Sequence, residues 1–303
     1  MNRIILALCA LLFAGSAHAA GDAPVAAPPV AAPTAETPAH VALWKVSGKA
    51  STVYLLGSVH LLSPTLQWRD ARIDKAIGEA DAFFFETALD QDAIKQYVAA
   101  RGTLPPGQSL RAMLPPDSQK DLDDDMVLLG MPEAAIDGRR PWLAGLAMIG
   151  IKYMKTGLSA QAGVDLAVIA EAQARGKPLR YFETAGQQLA LLAPDDPKLE
   201  LESFEMLLKD FKSETDDVGP MVEAWAAGDT ATLDKLFNKG FDNHPVARKA
   251  VLDDRNKAWV DVLKSVLDTE NGTFFVTVGA GHLVGRRGVP VLLGHAGYRV
   301  ERL

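Results

Sequence analysis

The sequence contains almost no cysteine. Its single cysteine, Cys9, lies in an apolar run near the N-terminus and follows Leu8, whereas a lipoprotein signal needs a small residue before the cysteine. Without the N-terminal run, the chain would contain no cysteine at all. This excludes a disulfide framework and a thiol nucleophile in the mature protein.

The N-terminus has the pattern of a secretion signal. Arg3 precedes an apolar run over residues 4–13, which is shorter than the about 20 residues that span a bilayer, and Ala17-His18-Ala19 supplies small residues for cleavage. We expect residues 1–19 to be a signal peptide and residues 20–40, rich in Ala and Pro, to be a tether. The mature chain would then lie in the periplasm of a Gram-negative cell, with secretion as the alternative, and with no stable membrane insertion.

Several functional patterns are missing. The net charge is −7 and the basic residues are scattered, which excludes a nucleic-acid-binding surface. The sequence has no Gly-x-Ser-x-Gly elbow, no His-Glu-x-x-His helix, no Walker loop and no dinucleotide fingerprint. These absences argue against a serine hydrolase of that kind, a zincin, a P-loop nucleotide hydrolase and a dinucleotide-dependent enzyme.

Hydrophobic periodicity predicts an α/β domain over residues 41–303. The predicted strands cover residues 43–46, 52–56, 82–85, 178–182, 273–278 and 298–303. The predicted helices cover residues 71–80, 164–174 and 289–293, and residues 199–267 with breaks near 219–220, 228 and 244–245. The first two strands are expected to form a hairpin, and the second and third to be parallel because a helix joins them. We predict one domain with a long helical insertion.

Two strands end on the same motif, Gly-x-x-His. One runs from Gly57 to His60 and the other from Gly279 to His282. In parallel sheets, ligands bind beyond the carboxyl ends of the strands, so we expect the two histidines to meet there. The glycines would permit a sharp turn or a positive φ. The alternative is that each histidine only caps its strand.

Two further strands end on Phe-Glu-Thr, which places Glu86 and Glu183 after apolar runs. A carboxylate in that position is costly to bury without a cation, a hydrogen-bond donor or a metal. Histidine with glutamate suits zinc, manganese or iron, and it also suits general acid–base catalysis. The alternative for Glu86 is a core ion pair, for which Arg255 is a candidate. For Glu183, pairing with a helix terminus is equally open.

These motifs resemble the TraB/GumN family, which includes the Tiki proteins, regarded as metal-dependent proteases. The resemblance covers residues 43–303. Further matches are Gly163-Val164-Asp165, Phe182-Glu183-Thr184 with Gln188, Arg255-Asn256 ahead of Trp259, and the stretch from Val278 to Tyr298. The resemblance implies an α/β fold with a parallel or mixed central sheet, built from two related βαβ-containing halves that face a shared site.

The resemblance also implies roles for individual residues. His60, Glu86 and His282 would be the central polar residues and the ligands of a divalent metal of the Mn, Zn or Co class, with Glu86 or the metal activating water. Arg255 would orient groups or bind an anion.

Three further residues are weaker candidates for this site: Glu183, Asp165 and Asn256. Asp165 has the stronger alternative of a helix N-cap or first-turn acid.

The expected function is metal-assisted hydrolysis of peptide bonds, with Arg255 stabilising the tetrahedral intermediate. Two alternatives stay open. One is a binding protein that sequesters a peptide or a small exported ligand, and the other is metal-free, esterase-like hydrolysis. The sequence predicts no oligomeric state.

Overall fold

In a computed structural model, the chain is described over residues 39–211, 218–239, 241 and 244–303. The expected signal peptide and all but the last two residues of the expected tether lie outside these ranges. Within them, no helix is long and apolar enough to cross a membrane.

A six-stranded mixed sheet forms the centre of the fold. Its strands are β1 (Leu43–Ser47), β2 (Ser51–Ser58), β3 (Ala82–Thr87), β4 (Leu179–Glu183), β5 (Gly272–Gly279) and β6 (Arg299–Arg302). Their order across the sheet is β4-β3-β5-β2-β1-β6. The first four strands in that order are parallel, while β1 is antiparallel to both of its neighbours. The carboxyl ends of four parallel strands therefore lie side by side.

Helices cover both faces of this sheet. The helical segments in the same compact unit as the sheet are α1 (Ala71–Glu79), α6 (Val164–Ala174), α9 (Val218–Ala226), α10 (Thr230–Lys239), α11 (Pro245–Arg248), a π-helical turn (Lys249–Asp253), α12 (Asp254–Thr269) and α13 (Val289–His295). Apolar side chains of α1, α6, α9 and α10 pack on one face, and those of α12 and α13 pack on the other. The central strands are buried on both faces, which explains their nearly unbroken apolar runs.

The remaining helices form a second compact unit, drawn from residues 89–158 and 184–211 of the described chain. They are α2 (Gln91–Arg101), α3 (Leu110–Met113), α4 (Pro116–Leu129), α5 (Pro141–Met154), α7 (Ala185–Ala190) and α8 (Pro197–Asp210). A buried ion pair lies within this unit: Glu200, 3% exposed, accepts hydrogen bonds from the guanidinium of Arg140 and from the Trp142 backbone N–H. This pair joins the start of α5 to α8.

The structure confirms the α/β fold class, the β1–β2 hairpin and the parallel direction of β2 and β3. Two details differ from the prediction. First, β5 lies between β2 and β3, so that the two motifs ending on histidine stand on neighbouring strands. Second, the break expected near Gly219-Pro220 is the start of a helix: α9 begins at Val218, so both residues lie in its first turn, where proline has no hydrogen bond to lose.

The start of α6 rests on the chain segment that follows β2. The Val164 N–H donates to the Val59 carbonyl at 3.1 Å. A Cβ on Gly163 would lie 2.5 Å from the His60 carbonyl oxygen, so only glycine allows this approach. The contact places Asp165, in the first turn of α6, beside His60.

We predict that Gly163→Ala destabilises the protein by about 1–3 kcal/mol, because the new methyl group meets backbone that has no space to yield. Gly78→Ala is the matched control: Gly78 lies within α1, and a Cβ there meets nothing within 4 Å. Alanine should stabilise that helix by up to about 1 kcal/mol. Urea unfolding measures both variants, and a Gly163→Ala protein as stable as wild type would contradict this packing.

Candidate active site

Polar side chains meet at the carboxyl edge of the four parallel strands. His60 follows β2, Glu86 lies near the end of β3, Glu183 ends β4, and His282 lies in a 3-10 turn directly after β5. Glu86 and His282 are 6% and 3% exposed. The two motif pairs of the sequence therefore supply one residue to each of four adjacent strand ends.

The glycines of the two Gly-x-x-His motifs serve close packing rather than a left-handed backbone. Among the described residues, neither Gly57 nor Gly279 has a positive φ. A Cβ on Gly57 would lie 3.0 Å from the Ala280 Cα, and one on Gly279 would lie 3.1 Å from Oε1 of Glu86. Of the two possibilities considered for these glycines, the positive φ is therefore absent, and the constraint on both is close approach to the neighbouring strand end and its carboxylate.

A buried guanidinium joins the two strand-end glutamates. Arg255, 8% exposed on α12, donates from Nη2 to Oε2 of Glu86 at 2.7 Å and from Nε to Oε1 of Glu183 at 2.8 Å. Oε1 of Glu86 accepts the Gly279 N–H at 2.6 Å, and Oε1 of Glu183 accepts the Trp259 Nε1–H at 2.9 Å. The core ion pair considered for Glu86 is therefore present.

The ionisation of Glu86 follows from these contacts. Burial alone would raise the pKa of its carboxyl group. The charge of Arg255 opposes burial most strongly. His282 and His60, when protonated, and the Gly279 N–H act in the same direction, and together these groups bring the pKa of Glu86 to about 2. Glu86 is a fixed carboxylate at neutral pH, and it is therefore a poor candidate for a general acid.

His282 is held as a neutral imidazole by partners on both ring nitrogens. Its Nδ1 lies 2.6 Å from Oδ1 of Asn256, and its Nε2 lies 3.0 Å from Nη1 of Arg255. Since Arg255 can only donate, Nε2 accepts and the ring proton is on Nδ1. Burial, and then the charge of Arg255, lower the pKa of His282 to about 3. Its ring packs against Trp259, with centroids 4.4 Å apart.

The surroundings of His60 have the opposite effect: they raise its pKa, whereas those of His282 lower the pKa of that ring. Its Nδ1 lies 2.5 Å from Oδ2 of Asp165, so Nδ1–H donates to the carboxylate. Burial lowers the pKa of His60, but the charge and hydrogen bond of Asp165, helped by Glu86, outweigh burial and raise the pKa above 6.5. Its Nε2 is buried and has no hydrogen-bond partner among the described residues. His60 therefore presents one unused, basic nitrogen.

The predicted site residues form one electrostatic group. The charge of His60 acts on Glu86 and on His282, and the charge of Arg255 acts on both histidines. Asp165 is a first-turn acid of its helix, as considered, and it also orients His60.

The group has two further members that the motifs do not predict. Trp259 is one of them, and its i, i+4 spacing from Arg255 on one helix is a signal that could reveal it. The backbone N–H of Gly279 leaves no signal in the sequence.

His60, Glu86 and His282 do not fit a shared metal ion in this arrangement. Two of the three predicted ligands already bind a fixed cation, since Arg255 donates to Oε2 of Glu86 and to Nε2 of His282. Within the described ranges, no group of three or more His, Cys, Asp or Glu side chains is arranged as a metal site. A metal here would have to displace a buried guanidinium from its partners.

We predict different protonation states for the two histidines at about pH 5.5, below the usual histidine pKa. Nitrogen-15 imidazole spectra should show His60 as an imidazolium and His282 as a neutral ring protonated on Nδ1. His295, which is exposed, serves as the reference. Signals are assigned with His→Gln variants. An imidazolium at His282, or a neutral ring at His60, would contradict the contacts described above.

Comparison with known proteins agrees with this architecture. The model of the TraB/PrgY/gumN family matches residues 42–302. Two relatives named Uncharacterized protein YbaP, from Escherichia coli (strain K12) and Shigella flexneri, are each 22% identical over 244 residues, covering 79% of this chain and 87% of the relative. The family match extends over nearly all of the described chain, from β1 to β6. This chain belongs to the TraB/PrgY/gumN family.

Proposed function

We propose that this protein is a hydrolase in which His60 activates a water molecule. The observation that carries the proposal is the state of the His60 ring. Nδ1 is held by Asp165, while Nε2 is buried, basic and without a hydrogen-bond partner among the described residues. A histidine oriented by a carboxylate on one nitrogen and open on the other is the arrangement used for general-base catalysis.

The proposed reaction uses this nitrogen twice. As the water oxygen attacks the substrate carbonyl carbon, one water proton passes to Nε2 of His60. The tetrahedral intermediate then collapses, and the bond from carbon to the leaving oxygen or nitrogen breaks. His60 returns its proton to that leaving atom, giving a carboxylic acid and an alcohol or amine. Asp165 stabilises the imidazolium that forms between the two transfers.

A peptide bond is the substrate that we propose first, and an ester bond second. Both contain a carbonyl carbon and a leaving atom that needs a proton. We propose that the reaction takes place in the periplasm, on a peptide or another exported ligand, because the N-terminus has the pattern of a secretion signal. The Mn-, Zn- or Co-class ion expected from the family resemblance has no step in this reaction, because His60 supplies the base.

The pH dependence of turnover tests the role of His60. Because His60 must be neutral to accept a proton, kcat/KM should rise with pH through a pKa above 6.5. Asp165→Asn removes the largest influence that raises this pKa and leaves burial, which lowers it. The acid limb of the kcat/KM profile of Asp165→Asn should therefore lie below pH 6.5, and the maximal rate of this variant should be lower than that of the wild type. Fluorescein-labelled casein and p-nitrophenyl acetate are suitable probes.

His60→Gln should lower turnover by about 10²-fold or more, the scale of general acid–base catalysis. The matched control is His295→Gln, since His295 is exposed at the end of α13. An acid limb that stays in place in Asp165→Asn would contradict the proposal. Saturable peptide binding with no turnover in the wild type would instead identify a binding protein.

A further inference from the structure

Arg255 is surrounded by hydrogen-bond acceptors of the kind that would bind a cation. Its guanidinium donates to Glu86, to Glu183, to Nε2 of His282 and to the Val251 carbonyl at 3.1 Å. Two carboxylates and one imidazole lone pair thus converge on it. These are the kinds of donor that a divalent metal would take from a protein.

The position of this cation is fixed from several sides. The Arg255 guanidinium carbon lies 4.7 Å from the centre of the Trp259 ring, one helical turn further along α12. Arg255 is nearly fully buried, and the Glu86 and Glu183 contacts raise its pKa further, so it stays charged at every accessible pH. A displaced guanidinium would leave a buried charge without partners, which is strongly unfavourable.

We propose that Arg255 is the resident cation of this site and stands where a divalent metal would otherwise be held. Engagement of the Glu86 carboxylate and of the His282 Nε2 lone pair by Arg255 is then part of the folded state rather than a vacancy awaiting an ion. The chain hydrolyses its substrate without a metal, and neither Glu86 nor His282 is a metal ligand.

The geometry also gives Arg255 a direct part in catalysis, which rests on the hydrolase proposed above. A guanidinium has five N–H groups. Four of them are used by the contacts to Glu183, Val251, His282 and Glu86. The remaining Nη2–H has no partner among the described residues. It is available to the oxygen that becomes negative in the tetrahedral intermediate, the task a metal would otherwise perform.

Metal binding by the wild-type protein tests the resident cation without any need for turnover. The full exported protein is purified without a metal-affinity tag, and its metal content is measured by mass spectrometry. It is then titrated with Co²⁺, Mn²⁺ and Zn²⁺, following Co²⁺ absorption and Tm. We expect no stoichiometric metal in the purified protein. Any change in Co²⁺ absorption or in Tm on adding an ion should be the same in the wild type and in His282→Gln. Stoichiometric binding that is lost in His282→Gln or Glu86→Gln would overturn the inference.

Arg255→Lys tests the proposed catalytic role of Arg255, because lysine keeps the positive charge but lacks the planar guanidinium group and its five N–H donors. The matched control is Arg286→Lys, on the exposed loop that follows His282. Circular dichroism confirms folding. We expect kcat to fall by about 10²–10³-fold in Arg255→Lys alone, with no recovery on adding Mn²⁺, Co²⁺ or Zn²⁺. Unchanged kcat, or recovery by metal, would overturn the inference. A wild type without turnover would refute the hydrolase, while the metal titration would still decide the resident cation.

Discussion

The site depends on one buried guanidinium shared between two carboxylates. Arg255 joins β3 through Glu86 and β4 through Glu183, and it also fixes the ring of His282 after β5. Three strand ends are thereby tied to one residue of α12. Its charge keeps Glu86 ionised and His282 neutral, so the electrostatics of the whole edge follow from this residue. A buried cation of this kind is tolerated only with its partners in place.

Among the described residues, His60 makes no hydrogen bond to that network, although the charges of Glu86 and Arg255 act on it, and its own partner gives it a different chemistry. It is held by Asp165 on α6, which packs on one face of the sheet, whereas α12 packs on the other. Elements from both faces therefore meet at the carboxyl edge. On the α12 side, Arg255, Asn256 and Trp259 hold Glu86, Glu183 and His282 by hydrogen bonds. On the α6 side, Nε2 of His60 has no hydrogen-bond partner among the described residues. The proposed general base and its fixed electrostatic surroundings thus come from opposite layers.

Much of this arrangement could be predicted from the sequence. The repeated Gly-x-x-His and Phe-Glu-Thr endings place four polar residues at strand ends, and parallel strands bring such ends to one edge. Arg255 was a candidate partner for Glu86, but the other pairings could not be assigned, because pairing depends on where helices distant in sequence pack. The sequence around these residues does not indicate that Asp165 pairs with His60, or that Arg255 pairs with both glutamates.

The most direct test is a double-mutant cycle on the Arg255–Glu86 pair, read by urea unfolding at neutral pH. Glu86→Gln and Arg255→Met should each reduce the free energy of unfolding by about 3–5 kcal/mol, since each leaves a buried charge with a lost partner. The double variant should lose less than the sum of the two, by more than about 1 kcal/mol. Strictly additive losses would show that the two side chains do not depend on each other, and they would contradict this account of the site.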